Sequence, residues 1–169
     1  YLACGTSDDW DIGDGDFTME CWIKFNTLPT TGLGSEPRFM TSSNDSWFFR
    51  IAYVGSNHRL EFGTPTTDPF TAFYGTVTSF STNQWYHVAV SRTGSGDTNL
   101  KLFVDGVDQS ASEQAGSWDY DISTSNLFIG GDASAASTGR LLDGYIDGVR
   151  ISRTARYTSG GFTLPTTAF

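Results

Sequence analysis

Charge, cysteine, proline and long apolar runs are all scarce in this 169-residue chain. Charged residues make up only 17%, with 10 basic side chains against 19 acidic and a net charge of −9. Binding along a nucleic acid or another extended polyanion needs clustered Lys and Arg, so that class of partner is disfavoured. No stretch approaches the apolar length of a membrane span, and insertion into a bilayer is not expected. Cys4 and Cys21 are the only cysteines. Neither belongs to a Cys-x-x-Cys motif or has a histidine companion, which argues against zinc. A disulfide and two free thiols stay equally open. Segments with helical periodicity are few.

Aromatic residues, at 15%, and 19 glycines are what the chain has in quantity. Short apolar runs separated by Gly, Ser, Thr, Asn and Asp predict an all-β fold, a two-sheet antiparallel sandwich. The length suits one domain, residues 1–169, with a substantial core. The alternation is clearest in Trp85-Tyr86-His87-Val88-Ala89-Val90-Ser91-Arg92, where Tyr86, Val88 and Val90 share one parity. Leu100, Leu102 and Val104 share a face in the next run. Turn formers between them make the two runs antiparallel neighbours. Asp105-Gly106 then reverses the chain, since both residues tolerate the positive φ of a tight hairpin. Three successive strands are expected there, in the middle of a sheet.

These residues, through Leu100-Lys101-Leu102-Phe103-Val104-Asp105-Gly106, resemble the central hairpin of laminin G-like domains. Such domains belong to the concanavalin A-like group of lectins, glucanases and pentraxins. Asp16-Phe17-Thr18-Met19-Glu20-Cys21-Trp22-Ile23-Lys24-Phe25 and the run from Leu141 to Ser152 carry the same resemblance, which covers nearly the whole chain. It implies a concanavalin A-like jelly roll. In such domains a short run usually precedes a Tyr-Leu strand, so Tyr1-Leu2-Ala3-Cys4 reads as the interior of a first strand in a fragment of a longer chain. The tail from Ala155 to Pro165 is similar to endings found in phage virion proteins. Further strands are expected at Phe39-Met40, Trp47–Tyr53, Arg59–Phe62 and Leu127–Ile129. Thr64–Phe80 has no clear register, and Ser110–Thr124 reads as an irregular loop.

Glucanases of this superfamily line up several carboxylates on one strand as nucleophile and general acid. Here Tyr145-Ile146-Asp147-Gly148-Val149 has one where that pattern needs several, and Glu20 stands alone on its face among Thr18, Trp22 and Lys24. Neither histidine has an obvious triad partner. His87 is expected as a ring packed or hydrogen-bonded within the sheet. Catalysis is therefore not expected.

The pentraxin branch binds calcium, and the resemblance implies candidate ligands at Asn44, Asp45 and Asp132. Calcium takes six to eight oxygens, more than these three side chains supply, and ordinary Asx turns are the simpler account of them. Asp147 shares parity with Val149 and Ile151, so either a bulge at Gly148 turns it outward or it has a buried partner. Loop aromatics could stack on sugar rings: Trp10, Trp47, Trp118 and Tyr120 are the candidates, with Phe73 and Tyr74 beside them. Trp22 and Trp85 are expected within the sandwich. The expected role is a non-catalytic interaction module on a virion or other extracellular surface. Its partner would be a carbohydrate or a neighbouring surface protein. The alternative is the lectin or adhesin domain of a secreted or cell-surface protein.

Overall fold

A computed structural model describes residues 1–30, 36–43, 46–64, 71–76, 78–95, 99–115, 122, 126–132, 140–158 and 160–164. Twelve strands are found among them: β1 (Leu2–Ala3), β2 (Phe17–Phe25), β3 (Arg38–Ser42), β4 (Phe48–Val54), β5 (Asn57–Thr64), β6 (Thr71–Gly75), β7 (Trp85–Arg92), β8 (Leu100–Val104), β9 (Val107–Asp108), β10 (Ser110–Ala115), β11 (Leu127–Ile129) and β12 (Gly144–Ser152). The helical element among the described residues is one 3-10 turn, Asp8–Trp10, capped by the Ser7 side chain. One sheet has seven strands in the order β1-β11-β3-β4-β5-β6-β10, and the other has five in the order β12-β2-β7-β8-β9. Every pairing is antiparallel.

The alternation read from the sequence is the alternation that builds the core. Phe17, Met19, Cys21, Ile23 and Phe25 of β2 are fully buried, as are Val88 and Val90 of β7 and Leu102 of β8. Phe39, Phe49, Ile51, Leu60, Phe62 and Phe73 face them from the seven-stranded sheet. Each such side chain contributes roughly 1.5–3 kcal/mol on leaving water. Both cysteines are free; burial pushes the Cys21 thiol far above its ordinary pKa, so it is an inert core group.

Three features differ from expectation. β9 has two residues and forms an edge, so the hairpin run lies beside the rim of its sheet. Its turn is as read, with φ of 49° at Asp105 and 76° at Gly106. Residues Ser110–Ala115, expected as loop, form β10 against β6. That segment has no alternation of large apolar residues, and its strand rests on ladder hydrogen bonds to a neighbour far away in sequence. Finally, Thr18 and Glu20 on the outer face of β2 are buried as completely as its inner face, because Thr154 and Tyr157 of the segment after β12 bond to them. The Phe162 ring packs against His87 and Phe103 at 5.6 and 5.3 Å and stacks on Tyr157 at 3.5 Å.

At Gly148 the register of β12 against β2 shifts between Asp147 and Arg150, and Gly148 takes a φ of 54°. This bulge turns Asp147 into solvent, where its carboxylate accepts the Gly148 N–H at 2.8 Å.

Candidate functional site

Beyond the tail, the outer face of the five-stranded sheet presents exposed side chains among the described residues. Tyr145 of β12 is the register partner of Lys24 on β2, and Lys24 is the partner of Trp85 on β7. The three side chains therefore form one row across three strands. Trp85 is 40% exposed and Tyr145 55% exposed. Their ring centroids are 6.5 Å apart with planes tilted by 54°. The Lys24 ammonium rests over both rings, 4.5 Å from the Tyr145 centroid and 5.3 Å from that of Trp85. Polar groups adjoin the rings. Asp143 accepts hydrogen bonds from Asn26 Nδ2 at 3.1 Å and Thr27 Oγ1 at 2.8 Å. In the next row Trp22, half-buried, meets His87 edge to face at 5.3 Å. The arrangement offers ring faces, hydrogen-bond donors and acceptors on a rigid sheet, the combination that holds a sugar.

The outer face of the seven-stranded sheet is different in kind. Arg38, Arg50, Glu61 and Tyr74 are successive register partners across β3, β4, β5 and β6. Arg50 donates to Glu61 at 2.7 and 2.9 Å and to Glu36 at 3.3 Å, and Arg59 reaches Glu61 at 3.0 Å. Arg38 and Arg140 approach Asp132 at 3.5 and 3.0 Å. The Arg50 and Arg59 guanidinium groups stack on Phe48 and Tyr74 at 4.2 and 3.8 Å. Arg38, Arg50, Glu36, Glu61 and Asp132 are all buried. Charges this far from water must be paired to be tolerated, and here they are.

Of the residues expected at a site, Asn44, Asp45, Trp118 and Tyr120 lie outside the described residues. Asp132 is described, and its carboxylate is committed to two arginines. Both guanidinium groups meet the same carboxylate oxygen, Oδ2, so the Asp132 charge is paired within the protein. Among the described residues no group of three or more metal-ligating side chains occurs. Trp47 is 3% exposed and lies against Phe62 in the core, so it presents no ring face to a ligand. Trp10 is half-buried, packs against the core and donates its indole N–H to the Gly5 carbonyl at 3.2 Å. The structure does not bring these two tryptophans together.

Lys24, Tyr145 and Trp85 were not among the expected ligand residues, and Trp85 was expected inside the sandwich. Its parity carried the signal, for Trp85 alternates with the core residues Tyr86, Val88 and Val90. Lys24 and Tyr145 likewise fall opposite Ile23 and Ile146. What alternation cannot give is the register that sets the three side by side.

The family model described as the concanavalin A-like lectin/glucanases superfamily matches residues 3–159. A search of curated proteins gives no match. Among solved structures, the chain is similar to a proposed carbohydrate-binding protein from Bacteroides ovatus ATCC 8483, with a TM-score of 0.62 and 18% identity over 92% of this chain and 44% of that one. It thus spans less than half of that protein. It is also similar to the CBM40 domain of the Ruminococcus gnavus IT-sialidase, with a TM-score of 0.54 and 14% identity over 92% of this chain and 91% of that one. A third likeness is to the Trypanosoma rangeli sialidase, at a TM-score of 0.50 and 16% identity over 85% of this chain and 21% of that one. At such identities these structures speak to the fold, and the family match covers almost all of the sequence. The chain belongs to the laminin G-like family within the concanavalin A-like lectin/glucanases superfamily.

Proposed function

We propose that the protein is a non-catalytic glycan-binding module displayed on an extracellular or virion surface. The observation that carries the reading is the exposed Trp85–Tyr145 pair, two rings held side by side on one rigid sheet with Asn26, Thr27 and Asp143 beside them. Large exposed aromatics are costly on a surface with no ligand, and pyranose rings offer apolar faces that stack on them. Solved carbohydrate-binding domains with the same fold support the reading, including a CBM40 domain bound to α2,3-sialyllactose. The phage-like tail from Ala155 to Pro165 favours a virion as the place of display.

A glycan array followed by calorimetry on the best ligand tests the proposal. Trp85→Ala and Tyr145→Ala should each weaken binding by roughly tenfold or more, the loss typical of a central aromatic contact. Both rings are partly exposed, so thermal midpoints should stay close to that of the wild type. Unchanged affinity in both variants would move the site elsewhere. A second reading, packing against a neighbouring surface protein, is favoured by a cleft of about 450 Å³ between the edge strands β1 and β12. Tyr1, Leu2, Ile129, Leu142 and Ile146 line it, and Tyr1 and Leu2 are largely exposed.

A further inference from the structure

We infer that the Tyr145–Lys24–Trp85 row selects glycans bearing an anionic group, a carboxylate or a sulfate on the sugar, and that Lys24 is the residue that pairs with it. This rests on the glycan reading above and names the ligand class for that same site.

The argument starts from how the chain uses its few cations. It has 10 basic residues. Nine of them reach a carboxylate, hydroxyl or backbone carbonyl oxygen of the protein. Lys24 is the exception: among the described residues its ammonium touches two ring faces and no oxygen. The nearest acids on the same face are already engaged, Asp143 by Asn26 and Thr27, and Asp147 by the Gly148 N–H. Three N–H donors are thus left on a point charge, between the two surfaces on which a sugar would stack.

A pyranose lying on Trp85 or Tyr145 places its substituents within reach of that ammonium. A neutral hydroxyl would use one donor, whereas a carboxylate or sulfate would use the charge as well and gain the stronger, charge-assisted bond. Asp143, Asp147 and the net charge of −9 work against a densely charged polymer. The fit is therefore one acidic group per stacked ring, with the rings supplying most of the affinity.

Calorimetry on matched probes tests this: α2,3-sialyllactose against lactose, sulfated lactose against lactose, and oligogalacturonate against its methyl ester. In at least one pair the acidic member should bind about fivefold to tenfold tighter, and the preference should shrink as salt is raised. Lys24→Gln should abolish the preference, while Lys24→Arg should retain it. Trp85→Ala should weaken both members of the pair alike. Equal binding of both members, or a preference that survives Lys24→Gln, would overturn this inference and leave the glycan reading standing. Failure of the wild type to bind any probe or any array glycan would remove both.

Discussion

Glu20 is fully buried, and its carboxylate takes four hydrogen bonds. His87 Nε2 and the Tyr157 hydroxyl donate to one oxygen at 3.1 and 2.7 Å, and Arg150 donates twice to the other at 2.7 and 2.6 Å. Burial by itself pushes the acid's pKa up. The bonds from His87, Tyr157 and Arg150, with the Arg150 charge, outweigh that and hold it below its ordinary value of 4.5. Burial and the neighbouring carboxylate push the Tyr157 hydroxyl up to about 12, so it remains a donor. A folded-state pKa below the unfolded one stabilises the protein fully above the unfolded value. That contribution is lost as pH falls through the folded value. Thermal melts should therefore show the wild-type midpoint falling once pH drops below about 4.5. Glu20→Gln should cost roughly 3 kcal/mol at neutral pH, because it leaves Arg150 and His87 facing an uncharged partner. Its midpoint should also fall less steeply in acid; parallel curves would show that the acid sensitivity arises elsewhere. The sequence put Glu20 on a face with Thr18, Trp22 and Lys24 and found it no companion there. Its partners come from the neighbouring strands and the tail, up to 137 residues away, a distance that alternation within one strand does not cross.

The long strands were legible because a period of two with large side chains leaves little choice. β2, β7, β8 and β11 begin and end where the apolar alternation does. The short or polar elements were not. β10 has no large alternating residues, and the tail owes its place to contacts across the fold, whereas β9 follows directly from the Asp105-Gly106 turn. Gly106 shows how turn and tail are coupled. It is the second positive-φ residue of the β8–β9 turn, its carbonyl accepts the Phe162 N–H at 2.8 Å, and an added Cβ would collide with the Phe162 carbonyl oxygen. Gly94 has a similar φ of +65° but nothing within 4 Å of its would-be Cβ. Gly94→Ala should thus cost about 1 kcal/mol, the backbone term alone. Gly106→Ala should cost roughly 3 kcal/mol, since the tail must also shift, and it should quicken proteolysis after Ser152. Equal denaturation midpoints for the two variants would mean that the tail adds nothing to the hairpin's stability.

At the scale of the whole molecule, the fold is shared by lectins and glucanases, so the distinction between binder and enzyme rests on carboxylates. Glycoside hydrolysis needs two of them, about 5–5.5 Å apart for retention or 6.5–9.5 Å for inversion, one with a raised pKa to act as the acid. Glu20 is instead held low beneath the tail, Glu36 and Glu61 are bound to Arg50, and Asp132 is bound to Arg38 and Arg140. Asp143 and Asp147 are exposed beside the aromatic row. Both already accept hydrogen bonds from neighbouring groups. Prolonged incubation with laminarin and with sialyllactose should therefore release no reducing sugar or sialic acid, while the same preparation binds its glycan through Trp85 and Tyr145. Product that appears with the wild type and disappears with Asp147→Asn would make the row on β12, β2 and β7 a catalytic subsite. Without it, the exposed rings have a ligand to hold and no bond to break.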